Sequence, residues 1–220
     1  MRRRLFLMRH GQVAYFDREG NPTMRPDLVS LTPKGREQTL AAKRALAGIR
    51  FDRVVTSGLP RTLETARLVA PDNEPESWPQ LEELRGGRLA DIPEDGLEEA
   101  FVGCFRGVVV ESTLFLGGET IGSLLDRVLV ALDRLLADES WDTVLAVLHG
   151  GVNRAILSRA LTGGRAFLGG FEQAPACINV IDIGRDWIVR AVNTVPYDLA
   201  HAHGRQTTME ELYAEFRGVL

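Results

Sequence analysis

The chain has 220 residues, 45% apolar and 25% charged, and carries a formal charge of −4 from 26 Lys and Arg against 30 Asp and Glu. That length supports one sizeable domain, with or without a lid, and the acidic balance argues against a general nucleic-acid binder. Arg2 to Arg4 precede an apolar run of only Leu5 to Met8, too short for a secretory leader, and no stretch approaches the roughly 18 apolar residues of a membrane span. The chain is therefore expected to be soluble and cytoplasmic, with no membrane partner. Cys104 and Cys177 form no Cys-x-x-Cys and read as buried free thiols.

In chain order, Leu5 to Arg9 reads as a buried strand, and residues 12–31, with Asp17, Gly20, Asn21, Pro22 and Pro26, as a loop. Thr32-Pro33 is an N-cap followed by proline at the first helical position, opening a helix that runs to about Ala47 and stops at Gly48. Arg53 to Thr56 is a short β-branched strand. Leu59 to Val69 is a second helix, broken at Pro71, and the Pro-rich stretch to Pro79 is a loop. Trp78 to Leu84 reads as extended. Residues 85–117 are irregular, with scattered glycines and an apolar patch from Gly107 to Val110, and read as a lid or cap.

Glu119 to Leu136 is a long amphipathic helix, and Thr143 to Leu148 is a continuous apolar run of the kind central parallel strands show. Gly151 to Leu161 is a helix closed by Gly163-Gly164. Cys177 to Ile183 and Trp187 to Val192 flank Gly184-Arg185-Asp186 and predict a hairpin. No repeat or flexible linker interrupts the chain. Residues 1–220 thus read as one α/β domain: a three-layer α/β/α sandwich with a mainly parallel central sheet and a small lid insertion at about 85–117.

Two strands end on histidine-glycine, at His10-Gly11 and His149-Gly150. Ligands of open α/β sheets bind beyond the carboxyl ends of the strands, so two such histidines can face one pocket. The third strand ends near Ser57, and Arg61 opens the next helix. A cation at a helix start is disfavoured unless an anion is held there. Glu82 and Glu83 add adjacent carboxylates. Arginine forks match phosphate oxygens, histidine can act as a covalent nucleophile, and a carboxylic acid can protonate a leaving oxygen. The set suits phosphoryl transfer through a phosphohistidine, with no P-loop and no Asp-rich magnesium cage. Taken singly, each residue has a plainer reading as a strand-end histidine, a surface ion pair or a solvated acid; their joint order carries the inference.

With these pieces in place, the chain resembles the histidine phosphatase superfamily, the phosphoglycerate-mutase-like fold. The segments that carry the likeness are "RHG" at Arg9–Gly11, "LTPKGREQ" at Leu31–Gln38, "TSGLPRTLETA" at Thr56–Ala66, "LEEL" at Leu81–Leu84, "GGET" at Gly117–Thr120 and "LHGGVNRAIL" at Leu148–Leu157. The resemblance implies His10 as nucleophile, Arg9, Arg61 and His149 as holders of the phosphoryl oxygens, and Glu83 as general acid, with Glu82 its rival. Gly11, Gln12 and Gly150 would complete substrate binding, with no metal and no cofactor. Glu119 lies near this set, or is simply an acid at a helix start. Val13 and Phe16 stand where the family often has a hydroxyl residue and an Asn, and Leu89-Ala90-Asp91 where it often has Trp-Glu-Gly, so the substrate side has diverged.

A mutase would need extra cations. The lid offers Arg85, Arg88 and Arg106 against Asp91, Glu94, Asp95, Glu98, Glu99 and Glu111. The reading is therefore a metal-independent phosphomonoesterase acting on a small phosphorylated metabolite with little further charge. The acids would equally serve as the solvated face of a lid helix. The alternatives are a phosphomutase, a catalytically weak phosphate-binding regulator, and a metal-dependent hydrolase using His201 and His203. The oligomeric state is open, a homodimer included.

Overall fold

Six strands build one sheet: β1 (Arg3–Arg9), β2 (Arg53–Thr56), β3 (Glu76–Ser77), β4 (Thr143–Leu148), β5 (Ile178–Ile183) and β6 (Trp187–Thr194). The helices are α1 (Pro33–Ala45), α2 (Pro60–Val69), α3 (Leu97–Val102), α4 (Ile121–Ala137), α5 (Gly150–Thr162) and α6 (Thr208–Phe216). The structure is a computed structural model and describes residues 2–17, 21–23, 25–202 and 204–218. Gly20 of the first loop and His203 lie outside the described residues.

The strand order is β3-β2-β4-β1-β5-β6. β3, β2, β4 and β1 pair in parallel, and the β5–β6 hairpin extends the sheet antiparallel from β1. Period-two alternation along β1 divides the core. Leu5 and Leu7 join Val144, Ala146 and Leu148 under α4 and α5, whereas Phe6 and Met8 join Val54, Leu145 and Val147 under α1 and α2. Helices therefore cover both faces, giving the three layers expected. Full burial of each of these large apolar side chains stabilises the fold by about 1.5–3 kcal/mol.

Single-residue signals set several boundaries. The Thr32 side chain accepts from Gly35 N, with Pro33 opening α1. Gly163, at φ 68°, takes the left-handed conformation that closes α5. Cys104 and Cys177 are buried and free. Among the described residues no helix is long and apolar enough to cross a membrane.

Two stretches differ from the sequence reading. Trp78–Leu84 is not a strand. Pairing stops at Ser77, and Pro79–Leu81 forms a 3₁₀ turn, since proline fixes φ and has no N–H for a ladder. Segment 85–117 is not wholly irregular either. It contains α3 flanked by 3₁₀ turns at Leu89–Asp91, Glu94–Gly96 and Gly103–Phe105, each too short to show a period. The buried Phe101 of α3 packs against Tyr213 and Phe216 of α6, which ties this segment to the C-terminal helix.

Candidate active site

β1 and β4 are neighbours in the sheet, so the residues just past their ends meet. His10 and His149 are both buried, and their ring centroids lie 5.2 Å apart. The turn after β1 is held by close backbone approach. A Cβ on Gly11 would lie 2.5 Å from the Gly35 carbonyl oxygen, and one on Gly35 would lie 2.1 Å from that of Gln12. Gly11 thus serves the contact with α1. The Gln12 side chain accepts from Thr32 Oγ1 at 3.1 Å and so joins the same N-cap.

The hydrogen bonds fix the tautomers. His10 Nδ1 lies 2.7 Å from the Gly11 carbonyl oxygen, which can only accept. The ring proton therefore sits on Nδ1 and leaves a lone pair on Nε2. His149 Nε2 lies 2.8 Å from Ser57 Oγ, and Ser57 Oγ lies 3.0 Å from Thr62 Oγ1. Thr62 donates to the Leu59 carbonyl at 2.8 Å. With one proton per hydroxyl, Ser57 donates to Thr62 and His149 Nε2 donates to Ser57. His149 Nδ1 is buried and has no hydrogen-bond partner among the described residues.

Burial, then the charges of Arg61 and Arg9, push the His10 pKa well below its ordinary 6.5. Burial, Arg61, His10 and Arg9 do the same to His149. Both imidazoles are neutral at pH 7. Above pH 6.5 neither the native nor the unfolded chain binds these protons. Below it the unfolded chain does and the native one does not, so stability falls on acidification. The expected slope is up to about 1.4 kcal/mol per pH unit for each histidine. Urea melts between pH 7 and 5 check this. His10→Ala is expected to flatten the slope, and an unchanged slope would mean that His10 is charged in the native state.

The arginines flank these rings. Arg9 Nη1 donates to the Gln173 carbonyl, and Arg61 Nη1 donates to the Pro26 carbonyl at 3.0 Å. The Nε of each is buried without a hydrogen-bond partner among the described residues. Gln173 is held by Asn153 and Asn179, and Asn179 donates to the Leu7 carbonyl of β1 at 2.8 Å. A buried amide network thus fixes the carbonyl that holds Arg9.

Glu83 and Glu82 part company. Both Glu83 carboxylate oxygens accept from Gly151 N at 3.1 Å, and Oε1 also accepts from Leu84 N at 3.0 Å. The carboxylate therefore caps α5, which has no cap of its own at His149. A Cβ on Gly151 would lie 2.5 Å from Glu83 Oε1, so the glycine makes room for the acid. Glu82 instead pairs with the exposed Arg85 at 3.1 Å.

Gly150 lies where these groups converge. Its Cβ position would be 3.7 Å from Glu83 Oε2, 3.8 Å from Arg9 Nε and 3.1 Å from Nη1 of Arg154. The sequence reading did not single out Arg154. It is 4% exposed, donates from Nε to the Gly169 carbonyl at 3.0 Å and stacks on Phe105. Burial lowers its pKa to about 10, so it remains a cation. Its spacing was the available signal, because residue 154 lies one helical turn beyond Gly150.

Several other expectations resolve outside this cluster. Arg106 pairs with Glu98 and Glu99, Glu111 with Arg165, and Glu94 with Arg217, all on the exposed surface. The acids of segment 85–117 are thus its solvated face. His201 is exposed, and among the described residues no group of three His, Cys, Asp or Glu could hold a metal ion.

A sheet carrying two histidine-glycine strand ends, with arginines beside them and a carboxylate opposite, defines a class. A family model for the histidine phosphatase superfamily (branch 1) matches residues 5–194, and the chain belongs to that family. It is 30% identical over 191 residues to the adenosylcobalamin/alpha-ribazole phosphatase of Salmonella typhimurium, covering 82% of this chain and 90% of the relative. It is 28% identical to a probable 2-carboxy-D-arabinitol-1-phosphatase of Arabidopsis thaliana, covering 82% of this chain but spanning only 38% of that protein. A solved structure of a putative alpha-ribazole-5'-P phosphatase from Escherichia coli aligns at a TM-score of 0.65 and 26% identity, covering 87% of this chain and 96% of that one.

Proposed function

We propose that the chain is a phosphomonoester hydrolase that works through a phosphohistidine on His10. The observation that carries this reading is the Nδ1–H bond of His10 to the Gly11 carbonyl, which turns a neutral Nε2 lone pair toward the ligand side. In the first step Nε2 attacks phosphorus as the ester P–O bond breaks. Glu83 gives its proton to the departing oxygen, and the Gly11 carbonyl steadies the positive charge growing on the ring. Arg9 and Arg61 hold the phosphoryl oxygens and the charge that builds on them, and the Nδ1 lone pair of His149 accepts the hydrogen of a singly ionised phosphoryl group. In the second step water attacks the phosphohistidine and the Glu83 carboxylate takes its proton. Inorganic phosphate leaves, and His10 returns to its neutral form. Residues 85–117 act as a lid on the substrate side.

Cationic side chains supply the charge that metals supply elsewhere, so activity is expected to persist in EDTA. Phosphate release is measured over a panel of monoesters with and without chelator. Full loss in EDTA, restored by a divalent ion, would overturn the metal-free reading. The panel includes alpha-ribazole 5'-phosphate and 2-carboxy-D-arabinitol 1-phosphate, after the names of the relatives. Arg154 adds a cation beyond the phosphoryl holders, so esters with a second anionic group belong in it too. A phosphorylated product in place of free phosphate would favour the mutase reading.

A further inference from the structure

Glu119 is not a simple helix-start acid. It lies just before the N-cap Thr120 of α4 and pairs with Arg127 of that helix, the two side chains being 10% and 16% exposed. All five N–H groups of Arg127 have acceptors. Nε and one Nη2 hydrogen go to Glu119 at 2.8 and 2.9 Å. The Nη1 hydrogens go to the carbonyls of Gln80 and Glu82 at 2.9 and 2.6 Å, and the second Nη2 hydrogen goes to that of Glu83 at 3.0 Å. Glu119 adds two ties of its own: Oε2 accepts from Arg85 N at 3.1 Å, and its N donates to the Arg85 carbonyl at 2.7 Å.

We propose that the Glu119–Arg127 pair is a positioning device for Glu83, setting the height from which its carboxyl reaches the leaving oxygen. This rests on the acid role given to Glu83 above. The segment needs such a device because it left the sheet at Ser77, and past that point its carbonyls have no strand ladder. Arg127 replaces the ladder with one rigid fork. With the Glu83 carbonyl fixed on the Arg127 side, the side chain is directed to Gly151, where both carboxylate oxygens are held. Lysine could not reproduce the arrangement, since its three donors on one nitrogen do not span separated acceptors in a plane. Burial alone would raise the Glu119 pKa, but hydrogen bonding and charge from Arg127, with Arg85, hold it below the usual range, so the pair stays ionised.

The test compares Arg127→Met and Arg127→Lys with wild type and Glu83→Gln, reading the pre-steady-state rate of His10 phosphorylation. A misplacement of about 1 Å can cost about 10²-fold, so Arg127→Met is expected to lose that much with an alkyl phosphate. With p-nitrophenyl phosphate, whose leaving group needs no proton, it should change by less than about 10-fold. Arg127→Lys should fall between wild type and Arg127→Met. In a Glu83→Gln background Arg127→Met should cost nothing further on the alkyl ester. A second readout does not depend on turnover: the Gly151 amide NMR resonance is expected to move on Glu83→Gln in the wild-type background and to be insensitive to Glu83→Gln in the Arg127→Met background. Should Arg127→Met fail to fold, Glu119→Gln takes its place in both measurements. Equal losses on both esters, or a Gly151 resonance that still responds to Glu83→Gln in Arg127→Met, would overturn the proposal and leave the pair a purely structural bridge. If Glu83→Gln itself shows no leaving-group contrast, the acid role fails instead, and the Gly151 resonance still decides whether Arg127 places Glu83.

Discussion

Replacing His10 by alanine is expected to lower phosphate release by about 10⁴-fold or more, because it removes the atom proposed to accept the phosphoryl group. Rapid quench of wild type with labelled substrate should trap an acid-labile, base-stable adduct. It should be absent from His10→Ala and present in His201→Ala, where the substituted residue is exposed. Peptide mapping adds a sharper control. His149 also carries a lone pair, on Nδ1, within the same cluster. The proposal places the label on the His10 peptide, and His149→Ala should slow labelling without moving it. An adduct persisting in His10→Ala, or mapping to His149, would assign the nucleophile elsewhere. The alanine variant loses one hydrogen bond and no charge, so its fold should survive, which thermal melting checks.

Glu83→Gln is expected to cost about 10²–10⁴-fold on alkyl phosphates and far less on p-nitrophenyl phosphate. An alkoxide must gain a proton as its bond to phosphorus breaks, whereas p-nitrophenolate leaves readily without one. Glutamine keeps the shape of Glu83 and an oxygen to accept from Gly151, so the cap on α5 is retained while the transferable proton is lost. Slow breakdown of the phosphohistidine would mask the contrast in steady state, so the rate of His10 phosphorylation is the quantity to measure. Glu82→Gln, on the Arg85 side of the segment, should change little on either ester. Equal losses on both esters for Glu83→Gln would remove it from the acid role, and the contrast appearing in Glu82→Gln would transfer that role.

Much of this was readable because single residues carry local chemistry. Thr32-Pro33 states a helix start, Gly163 a helix end, and the apolar run at Thr143 a strand buried on both faces. Strand-end placement then brings His10 and His149 together from topology alone, and Arg61 follows from the helix after β2. What stayed hidden was set by partners far away in the chain. Nothing local in Trp78–Leu84 says that its carbonyls will be taken by an arginine of α4, so an extended reading was natural and its alternation could not separate Glu82 from Glu83. Arg154 resembles any charged residue on a helix until α5 is seen to be buried on nearly every side. The helical turns of segment 85–117 are shorter than the window in which a period can appear.

The chain of hydroxyls behind His149 has a consequence for what the pocket greets. With the Leu59 carbonyl able only to accept, the Thr62 and Ser57 hydroxyls each have one way to share their hydrogen, so the ring is locked in a single orientation of donor and acceptor. An oxygen arriving at Nδ1 meets an electron pair, not a hydrogen. A fully ionised phosphate group must therefore draw a proton from solvent to be welcomed there, while a singly ionised one brings its own. Under the proposed function, ligand capture is expected to follow the acidity of the medium, and the grip on the doubly charged product to loosen as the solution turns alkaline.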